Sequence, residues 1–204
     1  MAEERMYHYP VWVRLWHWLN AIFFIVLLIT GISMQYSNPE RALMVPFEKA
    51  VEFHNLAGVL LSINYIFFVF GNLFTTNGKY YRMPRKGFFK RLMEQSQFYL
   101  FGMFQKKNPP FPLSQEEKFN PLQKIIYHLT MYWGFPIIII TGLSLFFPEI
   151  IIPKLFGVSG IFLTALLHVI VGFFLSLFLF IHIYVCTIGV NIAANFKSMI
   201  TGWH

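Results

Sequence analysis

The chain has 204 residues, of which 56% are hydrophobic, 20% aromatic and only 12% charged, with mean hydropathy +0.55. A soluble domain carries about 25% charged residues, so this composition excludes a water-soluble globular domain and points to a membrane. The formal net charge is +7, and the single cysteine, Cys186, excludes an internal disulfide, a Cys-x-x-Cys-His attachment, a Cys-based zinc site and an iron–sulfur cluster.

The N-terminal stretch MAEERMYHYPVWVRLWHW lacks the short apolar core and small-residue cleavage site of a removable signal, so the first apolar segment reads as a retained anchor. No Asp, Glu, Lys or Arg occurs between Arg14 and Glu40, Glu52 and Lys79, Lys124 and Glu149, or Lys154 and Lys197. Each interval exceeds the roughly 20 apolar residues that a transmembrane helix requires. Helices are expected near residues 13–36, 54–75, 123–147 and 160–192, giving one all-α domain over 1–204, an integral membrane four-helix bundle. Between the second and third helices lies a long loop, 76–122. Its segment 87–107, GFFKRLMEQSQFYLFGMFQKK, reads as a helix lying in the membrane interface, with partner docking as the alternative. A proline-punctuated stretch then leads to the third helix. Gly157 and Gly160 mark the start of the fourth helix, and Asn191 and Asn195 suggest its re-emergence. No internal repeat is evident.

Thirteen of the sixteen Lys and Arg fall in the N-terminal stretch, the long loop counted through Lys124 and the C-terminal tail; only Arg41, Lys49 and Lys154 lie in the two opposite loops. The excess of basic residues on cytoplasmic segments then places both termini and the long loop in the cytoplasm of a bacterial inner membrane. This topology also accounts for the basic pI without nucleic acid.

Seven histidines are present, and depth separates them. His8 and His204 fall in polar termini and are expected to be solvated. His17 lies just inside the cytoplasmic end of the first helix and His54 opens the second helix at the opposite face. His128 sits about one turn into the third helix, while His168 and His182 occupy the outer and inner halves of the fourth. Fourteen residues separate the last two, which leaves them within about 40° of each other around the helix and about 21 Å apart along it. His54 and His168 thus share the outer level, and His17 and His182 the inner one. A six-coordinate b-type haem needs two imidazoles at one depth on facing helices, so the pattern suits two haems stacked across the bilayer. Gly58, Gly172 and Gly31 lie on the faces that would pass a porphyrin. Each histidine taken alone could instead be a hydrogen-bonded packing residue, and His128 could replace His17 as an inner ligand. Arg14, one turn before His17, could meet an inner haem propionate or anchor the helix among phosphates.

The segments RLWHWLNAIFF, HNLAGVL, KFNPLQKIIYH, HVIVGFFLSLFLFIHIY and the terminal TGWH resemble the di-haem cytochrome b subunits of bacterial membrane oxidoreductases. These comprise the gamma subunit of respiratory formate dehydrogenase, the cytochrome b subunit of nickel–iron hydrogenase and the membrane subunit of thiosulfate reductase. The resemblance spans nearly the whole chain, and its specific part is the spacing of the four histidines. It implies His17 and His182 as ligands of the cytoplasmic-side haem iron and His54 and His168 of the periplasmic-side one. It also implies a quinone, menaquinone or ubiquinone, beside the inner haem near Asn120, with Gln123 a second polar candidate. Leu122 stands where the relatives have glycine, and helix capping would account for Asn120 and Gln123 equally well.

The expected function is that of a respiratory electron-transfer subunit working between the quinone pool and a periplasmic redox partner, either an iron–sulfur subunit or a multihaem cytochrome c. The two outer loops, 37–52 and 148–160, are too short for a substrate domain, so the catalytic site for the other substrate belongs to another chain. The alternatives are a free-standing cytochrome b that passes electrons from a small reductant such as superoxide to quinone, and a haem-free transporter or anchor. The topology has a direct check: cysteines placed at positions 106 and 107 should resist impermeant thiol reagents added outside intact cells, and labelling there would invert the orientation.

Overall fold

The computed structural model describes residues 7–37, 41–82, 87–111, 118–188 and 191–203. In chain order its helices are α1 (Val11–Tyr36), α2 (Phe47–Phe74), α3 (Phe88–Gln97), α4 (Pro121–Leu129), α5 (Phe135–Phe146), α6 (Gly160–Cys186) and α7 (Ala194–Thr201). A π-turn, Thr130–Gly134, joins α4 and α5 into one span, Pro121–Phe146. This span, α1, α2 and α6 are the four helices long and apolar enough to cross a membrane, so the fold is the helical membrane bundle that the composition implied.

The ends of the spans differ from expectation for local reasons. α2 starts at Phe47 rather than 54, because Pro46 sets its first turn and Glu48 suits the positive helix end. The exposed Lys49–Glu52 ion pair, 2.6 Å, lies along the same helix, so charges here mark a limit of the membrane and not of the helix. α6 stops at Cys186 rather than 192, and the Asn195 amide donates to the carbonyls of Cys186 and Ile188, both at 3.1 Å. In the long loop, α3 continues as a π-turn to Gly102 rather than to 107. Gly157 is a turn residue and not a helix start. With Phe156 it forms the two-residue tip of a hairpin, Lys154–Leu155 against Val158–Ser159, at φ of 51° and 81°.

At one end of the bundle, hereafter the terminal end, the two chain termini meet. Tyr7 pairs with Trp203 in an isolated bridge, and the His8 N–H donates to the Gly202 carbonyl at 2.9 Å. His8 is buried by this pairing, at 4% exposure, and is not solvated as expected. His204 lies outside the described residues. The Arg14 guanidinium donates to the Ile200 carbonyl and the Trp18 indole to that of Met199, so α1 holds the last turn of α7.

The structure also exposes a repeat that the sequence reading missed. ITGIS in α1 (residues 29–33) matches ITGLS in α5 (residues 140–144), and His54–Gly58–Ser62 in α2 matches His168–Gly172–Ser176 in α6. The hydrogen bonds recur with the residues. Thr30 donates to Val26 and Thr141 to Ile137, each at 2.7 Å; Ser62 donates to Gly58 and Ser176 to Gly172, again each at 2.7 Å. Leu61 and Leu175 occupy matching buried positions. α1 and the third span both start from the terminal end, so this is a parallel duplication of a helical hairpin, and matching residues fall at equal depth. The apolar filler between these landmarks has diverged, which hid the pattern.

Where the hairpins meet, Trp16 stacks on Phe68 at 4.4 Å and Tyr65 on Phe135 at 5.9 Å, within a core completed by Leu61, Tyr81, Met131 and Leu175. The π-turn fits Pro136 into the third span. Phe135 donates back to the Thr130 carbonyl, but Pro136 has no N–H for the carbonyl of Met131. The Tyr65 hydroxyl donates to that carbonyl instead, at 2.8 Å, as a nonpolar solvent demands. Tyr65→Phe should therefore destabilise the protein by about 1–3 kcal/mol. In a Pro136→Ala background, which restores the N–H, the loss should shrink; thermal unfolding in detergent of the two single variants and the double variant measures the difference.

Candidate functional site

The four histidines chosen by depth meet in two facing pairs. The His17 and His182 rings have centroids 6.2 Å apart, and those of His54 and His168 lie 6.3 Å apart. Each pair joins one residue of the first hairpin to one of the second, across the bundle interior. Two imidazoles that bind one metal through facing nitrogens at about 2.0 Å have centroids roughly 6.3 Å apart. Among the described residues no three His, Cys, Asp or Glu come together to hold a metal ion. Two protein ligands alone leave an iron short of six coordination, so the remaining four positions call for a macrocycle. The donor set fits b-type haem.

The surroundings of the two pairs differ. Around His54, the Thr30 hydroxyl lies 2.9 Å from Nδ1, and a Cβ on Gly31 would come within 3.4 Å of Cε1. Around His168, the Thr141 hydroxyl lies 2.9 Å from Nδ1, and a Cβ on Gly142 would come within 3.1 Å of Cε1. Gly31 is thus the neighbour of an imidazole, and Gly58 and Gly172 make only ordinary contacts with Leu27 and Ile138. Thr30, Thr141 and Gly142 escaped the sequence reading; the doubled I-T-G-x-S motif is the signal that would have found them.

At the other level, His182 stacks on Phe178 at 5.6 Å, its Nδ1 lies 3.4 Å from the Tyr127 hydroxyl, and its Nε2 lies 3.8 Å from Cys186 Sγ. Among the described residues, Arg14 Nε, Trp16 Nε1, His17 Nδ1 and Asn20 Oδ1, all within two turns of α1, are buried without a hydrogen-bond partner, as is His128 Nδ1 on α4. So dense a set of unsatisfied polar atoms is unusual in a folded interior, and it suits a site that receives a polar ligand.

His128 is the repeat counterpart of His17, and among the described residues it faces no imidazole. The counterpart of His182 is Phe68, which stacks on Trp16 as His182 lies against Tyr127. The ring of His128 rests on Tyr132 at 5.1 Å. Asn120 and Gln123 form a reciprocal capping box at the start of α4: the Gln123 N–H donates to Asn120 Oδ1 at 2.9 Å and the Asn120 N–H to Gln123 Oε1 at 3.2 Å. The Asn120 amide also donates to the Tyr99 hydroxyl at 3.1 Å. Capping thus accounts for both residues in this structure.

Beside them, an open pocket of about 220 Å³ is lined by His8, Trp12, Asn77, Tyr80 and Lys118. The Lys118 ammonium lies over Tyr80 at 4.3 Å and donates to Asn77 Oδ1 at 3.4 Å. Burial, with Lys79 adding repulsion, lowers its pKa to about 8. The unfolded chain then binds more protons between about pH 8 and the ordinary lysine value near 10.4, so stability should rise with pH across that window. Replacing Lys118 by Met should remove this rise, and melting temperatures at pH 7.5 and pH 10 measure it.

The chain matches the profile of the prokaryotic cytochrome b561 family over residues 8–202. It is 36% identical over 201 residues to the Escherichia coli (strain K12) protein named "Putative cytochrome YdhU", covering 98% of this chain and 75% of that protein. No solved structure matches it. The chain belongs to the prokaryotic cytochrome b561 family.

Proposed function

We propose that this prokaryotic cytochrome b561 carries two b-type haems and moves electrons between the membrane quinone pool and a redox partner at the periplasmic face. The single observation that carries the reading is the pair of facing imidazole sets, 6.2 and 6.3 Å between centroids. His54 and His168 would hold the outer haem iron, and His17 and His182 the inner. When bound, haem b supplies one-electron exchange. The protein's part is to hold each pair of imidazoles at one depth, to keep the two sites about four turns of α6 apart, and to exclude water with the apolar walls of the four spans.

The terminal end would face the cytoplasm, by the excess of Lys and Arg on the segments that emerge there. Arg14 has its Nε left over after Nη1 binds the Ile200 carbonyl, and that donor would reach an inner propionate. The quinone headgroup would enter at the same end, close to Asn120, Gln123 and the Lys118 pocket. The catalytic partner at the far end would be a separate chain, an iron–sulfur protein or a multihaem cytochrome c, because the outer connections are short.

A haemochrome assay against protein mass should give two haems per chain. His168→Ala and His182→Ala should each lose one haem or convert it to high spin. Only His182→Ala should abolish reaction of the remaining haem with quinol. His128→Ala should retain both low-spin haems, since no imidazole of the described residues faces it; loss of the inner haem there would make His128 the ligand in place of His17. A ratio of one would overturn the double-pair assignment. Co-purification of a redox subunit from native membranes tests the partner, and a single chain with quinone-linked superoxide chemistry would favour the free-standing alternative.

A further inference from the structure

The hydroxyls of Thr30 and Thr141 stand in the same relation to His54 and His168, each 2.9 Å from Nδ1. A threonine hydroxyl has one proton. Thr30 Oγ1 lies 2.7 Å from the Val26 carbonyl and 3.3 Å from that of Leu27; Thr141 Oγ1 lies 2.7 Å from Ile137 and 3.2 Å from Ile138. Those carbonyls can only accept, so they claim the hydroxyl proton, and the oxygen turns a lone pair to the imidazole. Nδ1 must then carry the ring proton and donate it. The other nitrogen, Nε2, is left with its lone pair bare.

Each threonine oxygen lies closer to a carbonyl of its own helix, at 2.7 Å, than to the ring nitrogen, at 2.9 Å. In the alternative tautomer the hydroxyl would turn to donate to Nδ1, giving up its bond to the helix carbonyl, and Nε2 would carry the ring proton and be closed to a metal. The same arrangement appears twice because the hairpin is duplicated. The inner pair lacks it. His17 Nδ1 has no partner, and His182 Nδ1 has only the more distant Tyr127 hydroxyl, at 3.4 Å.

We infer that Thr30 and Thr141 are positioning residues that fix the Nδ1–H tautomer of His54 and His168, so that both imidazoles present Nε2 to the outer haem iron. The inference rests on the ligand assignment proposed above. A hydrogen bond accepted from Nδ1–H also makes the imidazole a better electron donor. The two threonines therefore favour the oxidised outer haem and hold its midpoint potential down. Gly31 and Gly142, each next to its threonine, supply the close approach that the hydrogen bond requires.

The test uses the full-length protein in detergent, with redox titration of the resolved haem bands and electron paramagnetic resonance of the ferric state. Thr30→Val and Thr141→Val keep side-chain shape and remove the acceptor. Each should raise the reduction equilibrium of the outer haem by up to about tenfold, about 59 mV for one electron, and shift its low-spin signal while the inner haem is unchanged. Thr30→Ser and Thr141→Ser should restore the native values. Loss of the outer haem in the valine variants with retention in the serine variants would support the inference equally. Loss in both would show that volume matters and not the hydroxyl, and would overturn it. So would an unchanged outer potential, which would mean that the carbonyls of Leu27 and Ile138, which also face these rings, are the acceptors. An equal shift of both haems would overturn it as well. His54→Ala and His168→Ala separate the two readings: if neither loses a haem the ligand assignment fails, whereas if either does and the threonine variants are silent, only the present inference fails.

Discussion

An imidazole inside hydrocarbon has two nitrogens to satisfy and no water to satisfy them, and the arrangement of this bundle follows from that constraint. An unsatisfied polar group in such a medium costs several kcal/mol. Four histidines face one another in two pairs across the bundle, at 6.2 and 6.3 Å between ring centroids, which leaves the facing nitrogens open to a bound group. In the His54–His168 pair each Nδ1 is accounted for, by a threonine already bonded within its own helix. The interior therefore cannot be closed by apolar packing alone. The aromatic stack of Trp16, Phe68, Tyr65 and Phe135 fills the region between the hairpins. Tyr65 meanwhile repairs the backbone that Pro136 leaves open.

Duplication explains how two hairpins bring their histidines to one depth. When a helical hairpin is copied in the same orientation, His54 and His168 occupy matching positions and face each other without further adjustment. The threonine and glycine that accompany each are copied too. Internal repeats also occur in membrane transporters, so the repeat alone does not separate the two classes. Membership of the cytochrome b561 family does, together with the facing imidazoles.

The helical spans were legible because charges cannot enter the hydrocarbon, so four charge-free intervals had to be four crossings. Their ends were less legible. Glu48, Lys49 and Glu52 sit on α2 outside the membrane, where nothing prevents a helix from continuing. Asn195, read as a sign of re-emergence, acts by collecting carbonyls after α6 has ended. His8 looked solvated because a terminus has no visible partner in sequence; its burial depends on the Tyr7–Trp203 pairing, which joins residues from opposite ends of the chain. The histidine pairing was legible because helical rise converts sequence position into depth. Thr30 and Thr141 were not, since a threonine in an apolar helix gives no sign of which neighbour its hydroxyl faces.

The His17–His182 pair is where the duplication is broken, and the break has a physical consequence. Perfect copying would pair His17 with His182 and His128 with a histidine at position 68. Phe68 stands there instead, fully buried against Trp16. A second inner pair would put more polar nitrogens into the most tightly packed part of the bundle, where Phe68, Tyr81 and Phe135 exclude any ligand. With Phe68 in place, the His128 ring rests on Tyr132 and its Nδ1 is buried without a hydrogen-bond partner among the described residues, as are Arg14 Nε, Trp16 Nε1, His17 Nδ1 and Asn20 Oδ1 on α1. The His54–His168 site is thus symmetric, with the same hydrogen bond on each side. The His17–His182 site is not, with unsatisfied polar atoms and the Lys118 pocket at the same end of the bundle. An exchangeable polar substrate needs an end of this second kind, because a site whose hydrogen bonds are already closed offers it nothing to bind.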